Sequence, residues 1–180
     1  MSQPNSLRIG ELAPPIELPD TDDSLTTLPL PGEAPATVVT WTCNHCPYAL
    51  AWHDRLIDVA SEYAWHGIRF LFVNSNDAER YPADSLEAMR QRVTKEEWPA
   101  PYLRDESQGA AHAWHPQTTP DVFVLDADLR LRYRGAPDSD HEDPSQNAAW
   151  VRGALDALLD GRAPDPAETE PVGCSVKWKG

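Results

Sequence analysis

The run Cys43-Asn44-His45-Cys46-Pro47 holds two thiols two residues apart, an imidazole between them and a proline directly after. A two-residue spacer brings the second sulfur into disulfide range one helical turn later, so the pair can close and open a disulfide. The same spacing also serves haem attachment and zinc. Covalent haem needs a histidine directly after the second cysteine, and that place holds Pro47. Zinc needs about four ligands; a second C-x-x-C is absent, so His53 or Cys174 would have to be recruited across the fold. Two small buried thiols without reactivity are the remaining alternative. Thiol redox chemistry is the reading carried forward, with no metal and no cofactor required.

Position decides what such sulfurs can do. Thr37-Val38-Val39-Thr40-Trp41 is a β-branched run, and the stretch from Pro47 to His66 carries Leu50, Leu56, Ile57 and Ala60 at helical spacing. The pair therefore falls at a strand-to-helix junction, where unpartnered N–H groups and the helix dipole stabilise a thiolate. Cys43 is expected as a partly exposed nucleophile with a lowered pKa. Cys46 is expected as the resolving thiol, and His45 as a tuning group that adds a donor or a positive charge.

Stepping outward, short apolar runs alternate with helical patterns, which predicts an α/β domain. Residues 1–35 carry two extended candidates, Pro15 to Leu18 and Ser24 to Leu28, expected as a hairpin on the domain edge. Ile68 to Val73 is too apolar for a half-exposed strand and should be central. A second helix is expected over 84–93 and a short one from Ser107 to Trp114. Strands Val122 to Leu125 and Leu129 to Arg134 are joined at hairpin spacing, and a last helix runs from Pro144 to Leu159. Trp41, Trp52 and Trp65 read as packing residues. His53, His112 and His115 read as surface or helix-packing histidines. Residues 1–163 form the expected domain and 164–180 an extended tail packed on it. In that tail Val172, Cys174, Val176 and Trp178 alternate with Gly173, Ser175, Lys177 and Lys179, so one side is apolar and should be buried. Cys174 is expected there as a small core residue, with a third redox thiol near Cys43 as the competing reading.

The chain of 180 residues carries 15 Lys and Arg against 29 Asp and Glu, a formal charge of −14. That balance disfavours nucleic acid and anionic lipid as partners. No apolar run is long enough for a membrane span. Met1 to Ser6 shows neither a basic patch nor an apolar stretch, and three cysteines do not make a secreted disulfide framework, so a cytoplasmic protein is expected.

The order strand, helix, strand, helix, strand pair, helix resembles the thioredoxin fold, a three-layer sandwich with a mixed central sheet and helices on both faces. More narrowly, Cys43 to Tyr48, Asn74-Ser75-Asn76-Asp77, Thr119-Pro120 and Gly173 to Trp178 resemble the peroxiredoxin-like group related to alkyl hydroperoxide reductases and thiol-specific antioxidant proteins. The resemblance implies a cis proline at Pro120 facing the C-x-x-C, with Thr119 and Pro120 docking an extended substrate. It implies a thiol–disulfide oxidoreductase acting on a protein disulfide, recharged by a cellular dithiol such as thioredoxin. A hydroperoxide reductase with Cys43 as peroxidatic thiol stays open, since Thr40-Trp41-Thr42-Cys43 keeps half of a peroxiredoxin pattern. So does a redox-inert binding module on the same scaffold.

Overall fold

In the computed structural model residues 6–29 and 33–180 are described; Met1 to Asn5, on which most of the expectation about export rests, lie outside them. The expected hairpin forms as β1 (Ile16–Pro19) and β2 (Leu25–Leu28), antiparallel with Ile16 opposite Leu28. The β-branched run becomes β3 (Ala36–Trp41), buried at every residue. Helix α1 (Pro47–Tyr63) follows, is extended by a 3-10 turn over Ala64–His66, and stops at Gly67, whose φ of 75° suits glycine. Next come β4 (Arg69–Asn74), α2 (Leu86–Glu96), β5 (Tyr102–Arg104), α3 (Gly109–Trp114) and β6 (Thr118–Thr119). The chain closes with β7 (Asp121–Asp126), β8 (Leu131–Gly135), α4 (Ala149–Leu159) and β9 (Cys174–Ser175).

The central sheet runs β5-β4-β3-β7-β8, with β3/β4 and β4/β5 parallel and the β7 pairings antiparallel. Alternation along these strands feeds two cores. Val38, Phe70, Phe72, Val122 and Val124 face Trp52, Leu56 and Val59 of α1, Met89 of α2, and Val151 and Leu155 of α4. Val39, Trp41, Leu71, Val73, Phe123 and Leu125 face Ile16 and Leu28 of the hairpin and Trp114 at the end of α3. The three-layer α/β arrangement is therefore the expected one.

Three details differ. Tyr102–Arg104 is a strand, all three residues buried, too short for any periodicity to announce. Trp65 is 92% exposed and Leu50 47% exposed, because the helix turns both away from the sheet. In the tail only Val176 of the apolar set is fully buried; Val172 and Trp178 stay more than a third exposed because β9 spans just two residues.

Candidate active site

Proline is at ease in the first turn of a helix, where its missing N–H costs nothing. Pro47 accordingly starts α1, and Cys46 is its N-cap residue. Thr42 donates its N–H to the Val73 carbonyl as β3 ends, which leaves Cys43 on the loop before the helix. The helix amides therefore serve Cys46 first.

Both sulfurs are buried, with no exposure at Cys43 or Cys46. This corrects the expected partial exposure of Cys43. The cause is the tail: β9 pairs antiparallel with β6, Thr119 opposite Cys174, and Cys174 packs on the Cys43, Cys46 and Ala49 cluster. Thr119 touches both members of the pair. Its hydroxyl lies 3.5 Å from Cys43 Sγ, and its carbonyl accepts from Cys46 Sγ at 3.1 Å. The Thr119-Pro120 bond is cis, as the resemblance implied.

The electrostatics of the pair follow from these contacts. Each thiol donates to the other's thiolate, so one proton leaves the pair readily and the second is held. With the tail docked, the Cys46 thiol is drawn below the ordinary range by the Cys43 thiol, and also by the Cys174 thiol, the Ala49 N–H and the Thr119 hydroxyl. Cys43 is pushed up by Cys46, by burial and by the charge of Asp84, against the Thr119 hydroxyl and the His45 backbone N–H. These contacts favour the charge on Cys46 in this arrangement. The Thr119 carbonyl opposes that placement, since only a protonated sulfur donates to it. Beyond Thr119, which they share, Cys43 has the Asp84 charge and the His45 N–H beside it, and Cys46 has Cys174 and the Ala49 N–H.

Asp84 is the site residue that the sequence did not disclose. Its Oδ1 accepts from the Asn44 N–H at 2.6 Å and from Asn74 Nδ2 at 3.1 Å; Oδ2 accepts from Asn76 Nδ2 at 3.0 Å. His45 Nδ1 comes within 2.5 Å of the same Oδ2 without an aligned hydrogen bond, and the ring stacks on Tyr81. The imidazole therefore turns to the carboxylate, and His45 serves the Cys43 sulfur through its backbone. Cys43, His45 and Asp84 bring three metal-ligand types within 4.8 Å of one another. Both carboxylate oxygens are already taken by amide donors, so the carboxylate works here as a hub that shapes the loop.

The Asn74 to Asp77 segment also clamps the tail. Asn76 Oδ1 accepts from the Lys177 N–H at 2.8 Å, and the Asp77 N–H donates to the Lys177 carbonyl at 2.8 Å. Arg92 crosses from α2 to donate to the Cys43 carbonyl at 3.2 Å and to Asn44 Oδ1 at 2.9 Å. Three further histidines have packing roles: His53 Nε2 pairs with Glu96 at 3.0 Å, His112 stacks on Trp178, and His115 ends α3.

The Redoxin family model matches residues 8–150. An uncharacterized conserved protein from Geobacillus kaustophilus is 37% identical, with 99% of this chain and 98% of that chain covered and a TM-score of 0.90. A hypothetical protein from Sinorhizobium meliloti 1021 is 33% identical, covering 98% and 97%, with a TM-score of 0.91. Peroxidoxin BcpB from Mycobacterium tuberculosis, 16% identical with a TM-score of 0.65 over 87% of this chain and 99% of that one, shares the fold. Among curated proteins none matches this chain. With the thioredoxin-like sheet and the C-x-x-C at the start of α1, the match places this chain in the Redoxin family.

Proposed function

We propose that the chain is a thiol–disulfide oxidoreductase, cytoplasmic, cycling Cys43 and Cys46 between dithiol and disulfide. The observation that carries this reading is Thr119: it touches both sulfurs while its strand edge pairs antiparallel with an extended segment, here the chain's own tail. A protein disulfide in extended conformation would use that edge once the tail lifts.

Lifting the tail also removes Cys174, one of the donors that hold the charge on Cys46. The Thr119 carbonyl holds the proton on Cys46, and the Thr119 hydroxyl and the His45 N–H are the donors that favour the Cys43 thiolate. Cys43 attacks one substrate sulfur; the Cys43–substrate disulfide forms, the substrate disulfide breaks, and the leaving thiolate takes a proton. Cys46, losing its proton, attacks Cys43; the internal disulfide forms and the second substrate thiol departs. The substrate gains two electrons and the enzyme's dithiol loses them, to be restored by a cellular dithiol such as thioredoxin.

The hydroperoxide reaction gains less support, because Arg92 is spent on the Cys43 carbonyl and the Asn44 side chain and does not face the Cys43 sulfur. Insulin reduction in dithiothreitol, run beside peroxide consumption with reduced thioredoxin, separates the readings. Insulin reduction lost in Cys43→Ser, with a mixed disulfide trapped on Cys43 in Cys46→Ser, is the expected result. Peroxide turnover without insulin reduction would replace the proposal, and inactivity in both would leave a binding module.

A further inference from the structure

We propose that the C-terminal segment is a redox strap: Cys174 takes the disulfide over from the catalytic pair, as a Cys46–Cys174 bond, and releases Cys43. The inference rests on the oxidoreductase reading for the source of the oxidised pair.

The tail is registered at every stage. Thr169 donates its N–H to the Arg134 carbonyl at 3.0 Å, and its hydroxyl meets Tyr133 Oη at 2.8 Å. Gly135, with φ of 141°, makes room for it; a Cβ there would come 2.1 Å from Thr169 Oγ1. Gly173 passes so close to β6 that a Cβ would sit 2.2 Å from the Thr119 carbonyl oxygen. Beyond the strand pair, the Gln108 side chain donates to the Lys177 carbonyl at 2.9 Å and accepts from the Lys179 N–H at 2.9 Å. These anchors set Cys174 opposite Thr119, whose carbonyl Cys46 Sγ reaches, and pack it on the Cys43, Cys46 and Ala49 cluster. Both other thiols act on Cys46, whereas Cys174 acts on Cys46 alone of the pair.

The step balances without an added oxidant. Starting from Cys43–Cys46, the Cys174 thiol loses its proton and attacks Cys46 Sγ. The Cys46–Cys174 bond forms, the Cys43–Cys46 bond breaks, and Cys43 leaves as a thiolate that takes up a proton. Oxidation of Cys46 itself prepares the attack. Burial, together with the Cys46 contact and its charge, raises Cys174 to about 11, while Lys177 lowers it. Once Cys46 is in a disulfide, its charge is gone and Lys177 acts against burial alone. The bond then lies on Cys174, the most open of the three sulfurs, where a dithiol reductant can reach it, and the docking edge stays closed until that reduction.

Trypsin leaves Cys43 and Cys46 together in peptide 9–55 and Cys174 in peptide 163–177, so a non-reducing peptide map reads the bond directly. The full chain is reduced, then oxidised with diamide, which takes up the two hydrogens. Cys43→Ser should give the cross-linked peptide pair as its main product, Cys46→Ser at most about a tenth of that, and wild type a measurable share of it. No cross-link in Cys43→Ser, or an equal yield in Cys46→Ser, would overturn the relay. If Cys43→Ser does not fold, the wild-type map decides alone, and absence of the cross-link there overturns it. The map needs no substrate: a cross-link without insulin reduction removes the proposed function and leaves the strap, whereas insulin reduction without a cross-link removes the strap only.

Discussion

A carboxylate is a costly neighbour for a sulfur that must ionise, and Asp84 is held beside Cys43 by three amide donors. Replacing it with asparagine removes the charge, keeps one acceptor oxygen, and leaves Asn76 Nδ2 without its partner. Asp84→Asn should therefore lower the thiolate titration of the pair, followed by absorbance near 240 nm, while costing about 1–3 kcal/mol of stability. An unchanged titration would show that the charge does not reach the sulfurs. His53 gives a second residue-scale test. Burial, and then Arg92, lowers its pKa from the usual 6.5. As pH falls below 6.5 the unfolded chain takes a proton that the folded chain resists, so this contribution is present above that value and is lost on acidification. His53→Gln should lose less stability than wild type between pH 7.5 and 6, by up to about 1 kcal/mol in urea melts; equal losses would refute it. The cysteines could be found from type and spacing alone. Asp84 could not, because its meaning comes from contacts across 40 residues of chain to Asn44.

At the level of elements, one buried ion pair fastens α1 to the loop that enters α4. Arg55 donates to both oxygens of Asp138 at 3.0 and 2.9 Å and to the carbonyls of Asp140 and His141. Asp138 also accepts from Trp52 Nε1 at 2.8 Å and from the Ala148 N–H at 2.8 Å. Arg55→Met would strand a buried carboxylate, which typically costs about 3–5 kcal/mol. The expected readout is a loss of unfolding free energy of that size in urea melts, partly recovered in Arg55→Met with Asp138→Asn. A loss below about 1 kcal/mol would mean that solvent reaches the pair. Periodicity located α1 through its apolar positions, yet a buried arginine on the same helix breaks the pattern that periodicity reads. The same limit hid β5, and it left the Asn74 to Asp77 segment as a motif without a task until its contacts with Asp84 and Lys177 were in view.

Over the whole molecule, the charge of −14 is the property that no single contact expresses. Folding brings 29 acidic groups closer together than the unfolded chain does, so their repulsion weighs on the native state. The ion pairs range from buried to exposed. Arg134 with Asp121, and Arg55 with Asp138, are buried on both sides and hardly feel added salt. Arg90 with Glu87, and Arg162 with Asp160, are exposed and contribute little at any ionic strength. Screening should therefore relieve more repulsion than attraction. Between about 10 and 150 mM sodium chloride the Debye length falls from roughly 30 to 8 Å, a range over which non-contacting surface charges stop sensing one another. The melting temperature should rise across that interval by several degrees, since for a chain of this size each kcal/mol corresponds to roughly 2–4 °C. The increase should level off above about 0.5 M, where only contacting pairs remain unscreened. A melting temperature that stays flat or falls with salt would mean that the exposed pairs outweigh the net repulsion, and that the acidic excess is dispersed finely enough to be harmless to the fold.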